Sequence, residues 1–163
     1  MKQTLYKVAE TGHGKTCMSD RFFFDTNILV YAFDPAAPEK QAIARELFHT
    51  HGSQGTLCLS TQVLQEFYVA TTRARRQLLT PAVAIEIVDD LAQYPLVTIV
   101  PQLIKQAMQR HQNQVFSFWD SLIVEAALAA NCSKLLSENM QHGLVIDEVM
   151  TIENPFRLLD VPR

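Results

Sequence analysis

Three carboxylates stand at comparable points of an otherwise apolar sequence. Asp25 ends the apolar run RFFFDT, Glu66 lies early in TQVLQEFYVATTRARRQ, and Asp120 lies near the start of SFWDSLIVEAALAAN. Clustered carboxylates repel one another, so their ionised forms are costly unless a cation joins them. Hard oxygen ligands favour Mg²⁺ or Mn²⁺, and such an ion polarises a phosphoryl oxygen and lowers the pKa of a bound water. The chemistry indicated is phosphodiester hydrolysis.

Each acid also has a purely structural interpretation. Asp25 suits an Asx-turn or the cap of a following helix, and Glu66 suits a solvated helix face. Ser117 and Asp120 have the spacing of a capping box, in which the acid serves the helix terminus. The hypothesis of a metal site therefore depends on whether the three acids meet in space, and no single acid establishes it.

Polar and basic residues accompany these acids. The candidates for contact with substrate or water are Asn27, Ser117, Ser137, Arg73, Arg75 and Arg76. The arginines follow the segment that carries the second acid, where they are placed to meet a phosphate backbone. The alternative is a solvated helix end, where cations are favourable in any case.

Short apolar runs alternate with segments of helical spacing along the chain. The predicted strands are RFFFDT (21–26), TLCLST (56–61), LVTIV (96–100), KLLSEN (134–139) and TIENPF (151–156). The predicted helices cover 39–51, a stretch that begins at 61, 81–94, 101–112 and 117–131. This alternation predicts an α/β fold, a three-layer α/β/α sandwich around a parallel sheet of four to five strands. Ligands of such sheets bind beyond the carboxyl ends of the strands, where we expect these acids to converge.

The overall composition narrows the class of protein. A length of 163 residues fits one domain, and a formal net charge of -3 argues against nucleic-acid binding by bulk charge alone. Any such contact must come from a local basic patch or a bound cation. The three cysteines lack metal-ligand spacing, and Cys58 and Cys132 lie in apolar contexts, which predicts buried free thiols in a reducing cytoplasm. No apolar run approaches the length of a membrane span.

The first residues differ from the rest of the chain. Residues 1–17 are polar with little periodicity, and we interpret them as a loosely attached extension of a domain that covers 18–163. The segment GHGKT faintly resembles a phosphate loop, but Ala9 occupies the position where that pattern requires glycine. We therefore expect no nucleotide site there.

Five motifs, taken together in order and spacing, resemble a known family. They are FFFDTNILVYAFD, LSTQVLQEFYVATTR, FWDSLIVEAALAANC, LLSENMQHG and the closing NPF, and they extend over about residues 20–157. With these motifs the sequence resembles a PIN-domain ribonuclease, and more narrowly a VapC-type toxin of a bacterial toxin–antitoxin pair. The resemblance implies that Asp25 and Asp120 hold the metal and that Glu66 is the helix glutamate of the family.

The resemblance fails at one position. The fourth acid of the family usually follows Thr/Ser-Glu after the fourth strand, and here that position is Asn139. An amide oxygen can ligate a cation but carries no charge, so the metal site is expected to be weaker or to lose a second cation. Asn139 would complete the ligand shell in the leading hypothesis.

The family implies an endoribonuclease that hydrolyses RNA with a metal-activated water. It also implies a homodimer and inhibition by a cognate antitoxin whose tail enters the active-site groove. One alternative is a binding protein that keeps the PIN fold and has weakened or lost nuclease activity because of Asn139. Another is a metal phosphatase or a flap-type DNA nuclease, which would need further acids and a helical arch that this chain lacks.

Overall fold

Strands and helices alternate through most of the chain. The computed structural model describes residues 20–113 and 115–159, so the proposed extension at 1–17 lies outside the described residues. The elements in chain order are β1 (Phe22–Phe24), α1 (Thr26–Tyr31), α2 (Pro38–Ser53), β2 (Leu57–Ser60), α3 (Thr61–Thr72), α4 (Pro81–Leu91), β3 (Leu96–Val97), α5 (Pro101–His111), α6 (Phe118–Ala129), β4 (Lys134–Leu136), β5 (Val145–Ile146) and β6 (Met150–Glu153). Two 3-10 turns, Ala74–Arg76 and Arg157–Leu159, complete the set.

One sheet organises these elements, with strand order β3-β2-β1-β4-β6-β5. Phe23 of β1 lies opposite Cys58 of β2 on one side and opposite Leu135 of β4 on the other, and both pairings are parallel. The predicted α/β fold with a parallel sheet is confirmed, and five of the strands run parallel. Because their carboxyl ends share one edge, the residues that follow β1, β2 and β4 meet there.

The sixth strand, β5, was not predicted. It pairs antiparallel with β6 and contains only two residues, which is too short to show a hydrophobic period. The turn between the two strands places Asp147 and Glu148 at φ values of 48° and 62°. Such left-handed turns normally contain Gly or Asn, so the sequence carries no clear hairpin signal.

The core explains why the strands are continuous apolar runs. Phe23, Phe24, Leu57, Leu59 and Leu135 are buried, as expected for strands that are covered on both faces. Each large side chain contributes ~1.5–3 kcal/mol by leaving water. The predicted inner stripe of α6 is buried as well, and its members are Leu122, Ile123, Ala126, Ala127 and Ala130.

Two predicted strands end earlier than expected because their backbone groups turn to other partners. The run 96–100 is a strand only at Leu96–Val97, after which the amide of Ile99 donates to Oγ1 of Thr61. The run 134–139 ends as a strand at Leu136, and the amide of Ser137 donates to the carbonyl of Glu153. The shorter β4 leaves Ser137 at the strand end, beside the predicted acids.

Two further sequence predictions concern the thiols and the membrane. Cys58 and Cys132 are free and buried, as predicted. No helix in residues 20–113 and 115–159 combines the length and apolarity needed to cross a bilayer.

Candidate active site

Asp25 lies at the centre of the polar edge of the sheet. It follows β1 and caps α1, where its Oδ1 accepts a 2.6 Å hydrogen bond from the amide of Thr26. Its Oδ2 accepts 2.7 Å hydrogen bonds from Ser137 Oγ and from Asn27 Nδ2. The side chain is almost fully buried. The helix-cap interpretation of Asp25 is therefore correct, and it coexists with a network that a cap does not need.

Charge and burial act in opposite directions to the donors on Asp25. Burial raises the pKa of this carboxyl from its ordinary value of 3.8 to about 6, and the hydrogen bonds from Ser137 and Thr26 hold the pKa down. The charges of Glu66 and Asp120 raise the pKa further. The structure thus brings the three predicted acids close enough to interact. A cation at this edge would offset the repulsion between them.

Glu66 is fixed by hydrogen bonds to both carboxylate oxygens. Thr26 Oγ1 donates to Oε2 at 2.7 Å, and Gln62 Nε2 donates to Oε1 at 2.8 Å. The same Gln62 Nε2 lies 3.2 Å from the carbonyl oxygen of Trp119, next to Asp120. Glu66 is half-buried and is not merely a solvated helix residue.

Asp120 lies in the first turn of α6. Ser117 caps this helix by accepting a 3.1 Å hydrogen bond from the amide of Asp120. The same hydroxyl donates a 2.7 Å hydrogen bond to Asp120 Oδ2. The capping interpretation is again correct, and Ser117 also orients the carboxylate of Asp120.

The fourth position of the family motif differs from the other three. Asn139 is exposed in the bend after β4. The preceding Glu138 forms an ion pair with Lys40, whose Nζ also lies 3.4 Å from the hydroxyl of Tyr31. The amide of Glu138 donates to Asn27 Oδ1 at 3.2 Å. Glu138 therefore supports the site through its backbone, while its carboxylate is engaged by Lys40.

The three predicted substrate arginines occupy different environments. Arg76 Nη2 lies 2.5 Å from Oδ2 of Asp34, whose side chain is only 3% exposed. Arg73 and Arg75 are exposed around the 3-10 turn that follows α3. The structure thus separates one arginine with a structural ion pair from two that face solvent.

Whether these residues fit a metal ion depends on chemistry and on geometry. The oxygen donors of Asp25, Glu66 and Asp120 suit a hard divalent cation, and their mutual repulsion indicates a deficit of positive charge. Among the described residues, however, no three side chains of His, Cys, Asp or Glu stand close enough to hold one ion together. The donor set fits Mg²⁺ or Mn²⁺ chemically, with at most two direct carboxylate ligands in this arrangement.

Sequence reasoning missed the groups that hold Glu66. Gln62 precedes Glu66 by four positions in a helix, a spacing at which side chains meet, and this signal was available. The contact of Thr26 with Glu66 joins residues 40 positions apart, and no local pattern predicts it.

Comparisons with known proteins agree with this architecture. Three solved structures share the fold: VapC20 of Mycobacterium tuberculosis, described as a sarcin–ricin-loop-cleaving toxin (20% identity, 70% of this chain and 86% of that chain, TM-score 0.56); DNA-bound VapBC of Salmonella typhimurium (17%, 84% and 99%, 0.58); and a toxin–antitoxin complex of Klebsiella pneumoniae (16%, 82% and 96%, 0.58).

Sequence comparison is more specific about the family. No curated protein matches the chain significantly. The sequence model of the PIN domain family matches residues 22–142, a range that begins with β1 and includes every acid of the candidate site. The chain therefore belongs to the PIN domain family.

Proposed function

We propose that this protein is a metal-dependent endoribonuclease that acts as the toxin of a type II toxin–antitoxin pair. The observation that carries the proposal is the buried carboxylate of Asp25, whose pKa is raised by the nearby charges of Glu66 and Asp120. Membership of the PIN domain family supports nuclease chemistry. The described activity of VapC20, a toxin that cleaves the sarcin–ricin loop, supports RNA as the substrate.

In this proposal Asp25 and Asp120 hold Mg²⁺ or Mn²⁺. A bound cation of this kind polarises the phosphoryl oxygen and lowers the pKa of a water. Glu66 helps to hold the ion or orients the attacking water, and Asn139 completes the shell with a neutral oxygen. Ser137 and Asn27 keep the Asp25 oxygens in place, and Ser117 does the same for Asp120.

The substrate contacts proposed from the sequence divide into two groups. Asn27 and Ser137 spend their polar groups on Asp25, and Ser137 is fully buried, so these two position the acid. Arg73 and Arg75 face solvent and are proposed to contact RNA phosphates. With a net charge of -3, such local cations must supply the attraction.

We also propose a cognate antitoxin and a homodimer as partners. The solved structures from Salmonella typhimurium and Klebsiella pneumoniae are toxin and antitoxin assemblies, which supports the first partner. Exposed apolar side chains on neighbouring helices α3 and α4, namely Tyr68, Val69, Val83 and Ile85, support protein contacts in general.

An RNA cleavage assay tests the nuclease proposal. The wild type is expected to cut single-stranded RNA with Mg²⁺ or Mn²⁺ and to stop in EDTA. Asp25→Asn and Asp120→Asn are expected to lose the activity, while Asp90→Asn, at an exposed position of α4, keeps it. Equal cleavage by all four proteins would refute the assignment, and preferential degradation of structured DNA would favour a DNA nuclease instead.

A PIN-fold binding protein without nuclease activity is the second candidate. Two observations favour it: Asn139 is neutral and exposed, and the described residues contain no group of three potential metal ligands. Titration calorimetry separates the candidates. RNA binding with no measurable Mg²⁺ or Mn²⁺ affinity would favour the binding protein.

A further inference from the structure

Gln62 links the two helices that carry Glu66 and Asp120. Its Nε2 donates a 2.8 Å hydrogen bond to Glu66 Oε1, one helical turn away on α3. The same nitrogen donates at 3.2 Å to the carbonyl oxygen of Trp119 in the first turn of α6. One amide group therefore ties the carboxylate of Glu66 to the backbone that immediately precedes Asp120.

The other end of this amide has no partner. Oε1 of Gln62 is buried and accepts no hydrogen bond from the described part of the chain. Exchanging the oxygen and nitrogen would place the oxygen against two acceptors, Glu66 and the Trp119 carbonyl, so the observed orientation is the favourable one. An unsatisfied buried acceptor costs free energy, and an apolar side chain of the same size would avoid that cost. Stability alone therefore does not account for glutamine at position 62.

We propose that Gln62 is a positioning residue that sets the carboxylate of Glu66 relative to Asp25 and Asp120. The inference rests on the proposed metal-dependent nuclease function. Groups that orient the carboxylates of a metal site commonly change metal affinity or activity about 10- to 100-fold when they are removed. Gln62 is only 3% exposed, so it acts through Glu66 and does not touch RNA.

The variant Gln62→Met removes both donated hydrogen bonds and keeps most of the volume. Gln65→Met, on the exposed face of the same helix, is the matched control. We expect Gln62→Met to be as stable in urea as the wild type, or more stable, because the unsatisfied oxygen is gone. Its Mn²⁺ affinity by calorimetry falls about tenfold, and kcat for RNA cleavage falls while KM for RNA stays constant.

A double-mutant cycle shows whether the effect passes through Glu66. In a Glu66→Gln background, Gln62→Met is expected to change Mn²⁺ affinity less than twofold, because the carboxylate that it positions is absent. If Gln62→Met fails to fold, Gln62→Leu, which also lacks the donor, is measured in its place.

The outcomes separate this inference from the proposed function. A wild type that neither binds Mn²⁺ nor cuts RNA would overturn both. A competent wild type with an unchanged Gln62→Met would overturn the positioning role alone. Loss of stability without loss of Mn²⁺ affinity would also overturn it, because Gln62 would then be a structural residue only.

Discussion

Ser137 Oγ donates a 2.7 Å hydrogen bond to Asp25 Oδ2, although 112 positions separate the two residues in the chain. The contact follows from the sheet, because β1 and β4 pair in parallel with Phe24 opposite Leu136. The residues just beyond each strand then share one edge. A buried hydroxyl at this place keeps a buried carboxylate ionisable, which a metal ligand requires.

Replacing Ser137 with alanine tests this relationship. The hydrogen bond stabilises the ionised form of Asp25, so Ser137→Ala is expected to raise the Asp25 pKa above about 6. Carbon-13 NMR titration of the carboxyl in EDTA measures the change. Ser53→Ala, which removes an exposed hydroxyl at the end of α2, serves as the control. An unaltered Asp25 pKa would show that the hydrogen bond has no electrostatic role.

Asp25 makes the stability of the metal-free protein depend on pH. Between pH 3.8 and about 6 the folded protein keeps the Asp25 proton that the unfolded chain releases, so stability falls as pH rises through this range. The difference between the two pKa values corresponds to a loss of ~3 kcal/mol above about pH 7. Below pH 3.8 both states are protonated and the penalty is absent.

Asparagine cannot ionise, so Asp25→Asn removes this penalty. We expect the variant to exceed the wild type by about 1–3 kcal/mol in urea unfolding at pH 8 with EDTA, and to match it near pH 3.5. Asp90→Asn, at an exposed site, should show no such pH-dependent difference. A variant that is less stable than the wild type at pH 8 would contradict the raised pKa of Asp25.

The arginines after α3 are expected to separate into structural and RNA-binding residues. Arg76→Met leaves the buried Asp34 without its cation and should cost about 1 kcal/mol, a modest value because Arg76 itself is largely exposed. Arg75→Met should leave stability unchanged, weaken RNA binding and reduce its salt dependence. Urea unfolding and RNA titrations over a range of KCl, in an inactive Asp25→Asn background, measure both effects. The reverse pattern would reassign the two arginines.

Asn139→Asp restores the acid that the family pattern contains at this position. An added negative charge at the carboxyl end of β4 should strengthen Mn²⁺ binding by about tenfold and raise cleavage activity. Calorimetry and the RNA assay provide the measurements, with Gln141→Glu, a nearby exposed position, as the control for a general charge effect. An equal gain in both variants would show that Asn139 does not face the metal.

The meeting of the acids was predictable because it depends on topology. Asp25 ends an apolar run, and Glu66 and Asp120 lie early in helices, so a parallel sheet brings them to one edge whatever the details of packing. The buried stripe of α6 was predictable for a similar reason, since helical periodicity alone identifies its inner face.

The direction of individual polar groups was not predictable. Ser137 was a candidate for substrate contact, yet its hydroxyl is turned to Asp25. The ion pair between Lys40 and Glu138 joins residues 98 positions apart, so nothing local reveals it. These contacts depend on how helices dock on the sheet, which the pattern of apolar residues does not fix.

Calorimetric titration of Mn²⁺ into wild type, Asp25→Asn, Asp120→Asn and the double variant tests most directly whether these acids hold one ion. If they do, each single substitution weakens binding by at least about 100-fold, and the double variant adds little, because the shared site is already lost. Small and additive losses, or affinity that survives both substitutions, would contradict a shared metal site.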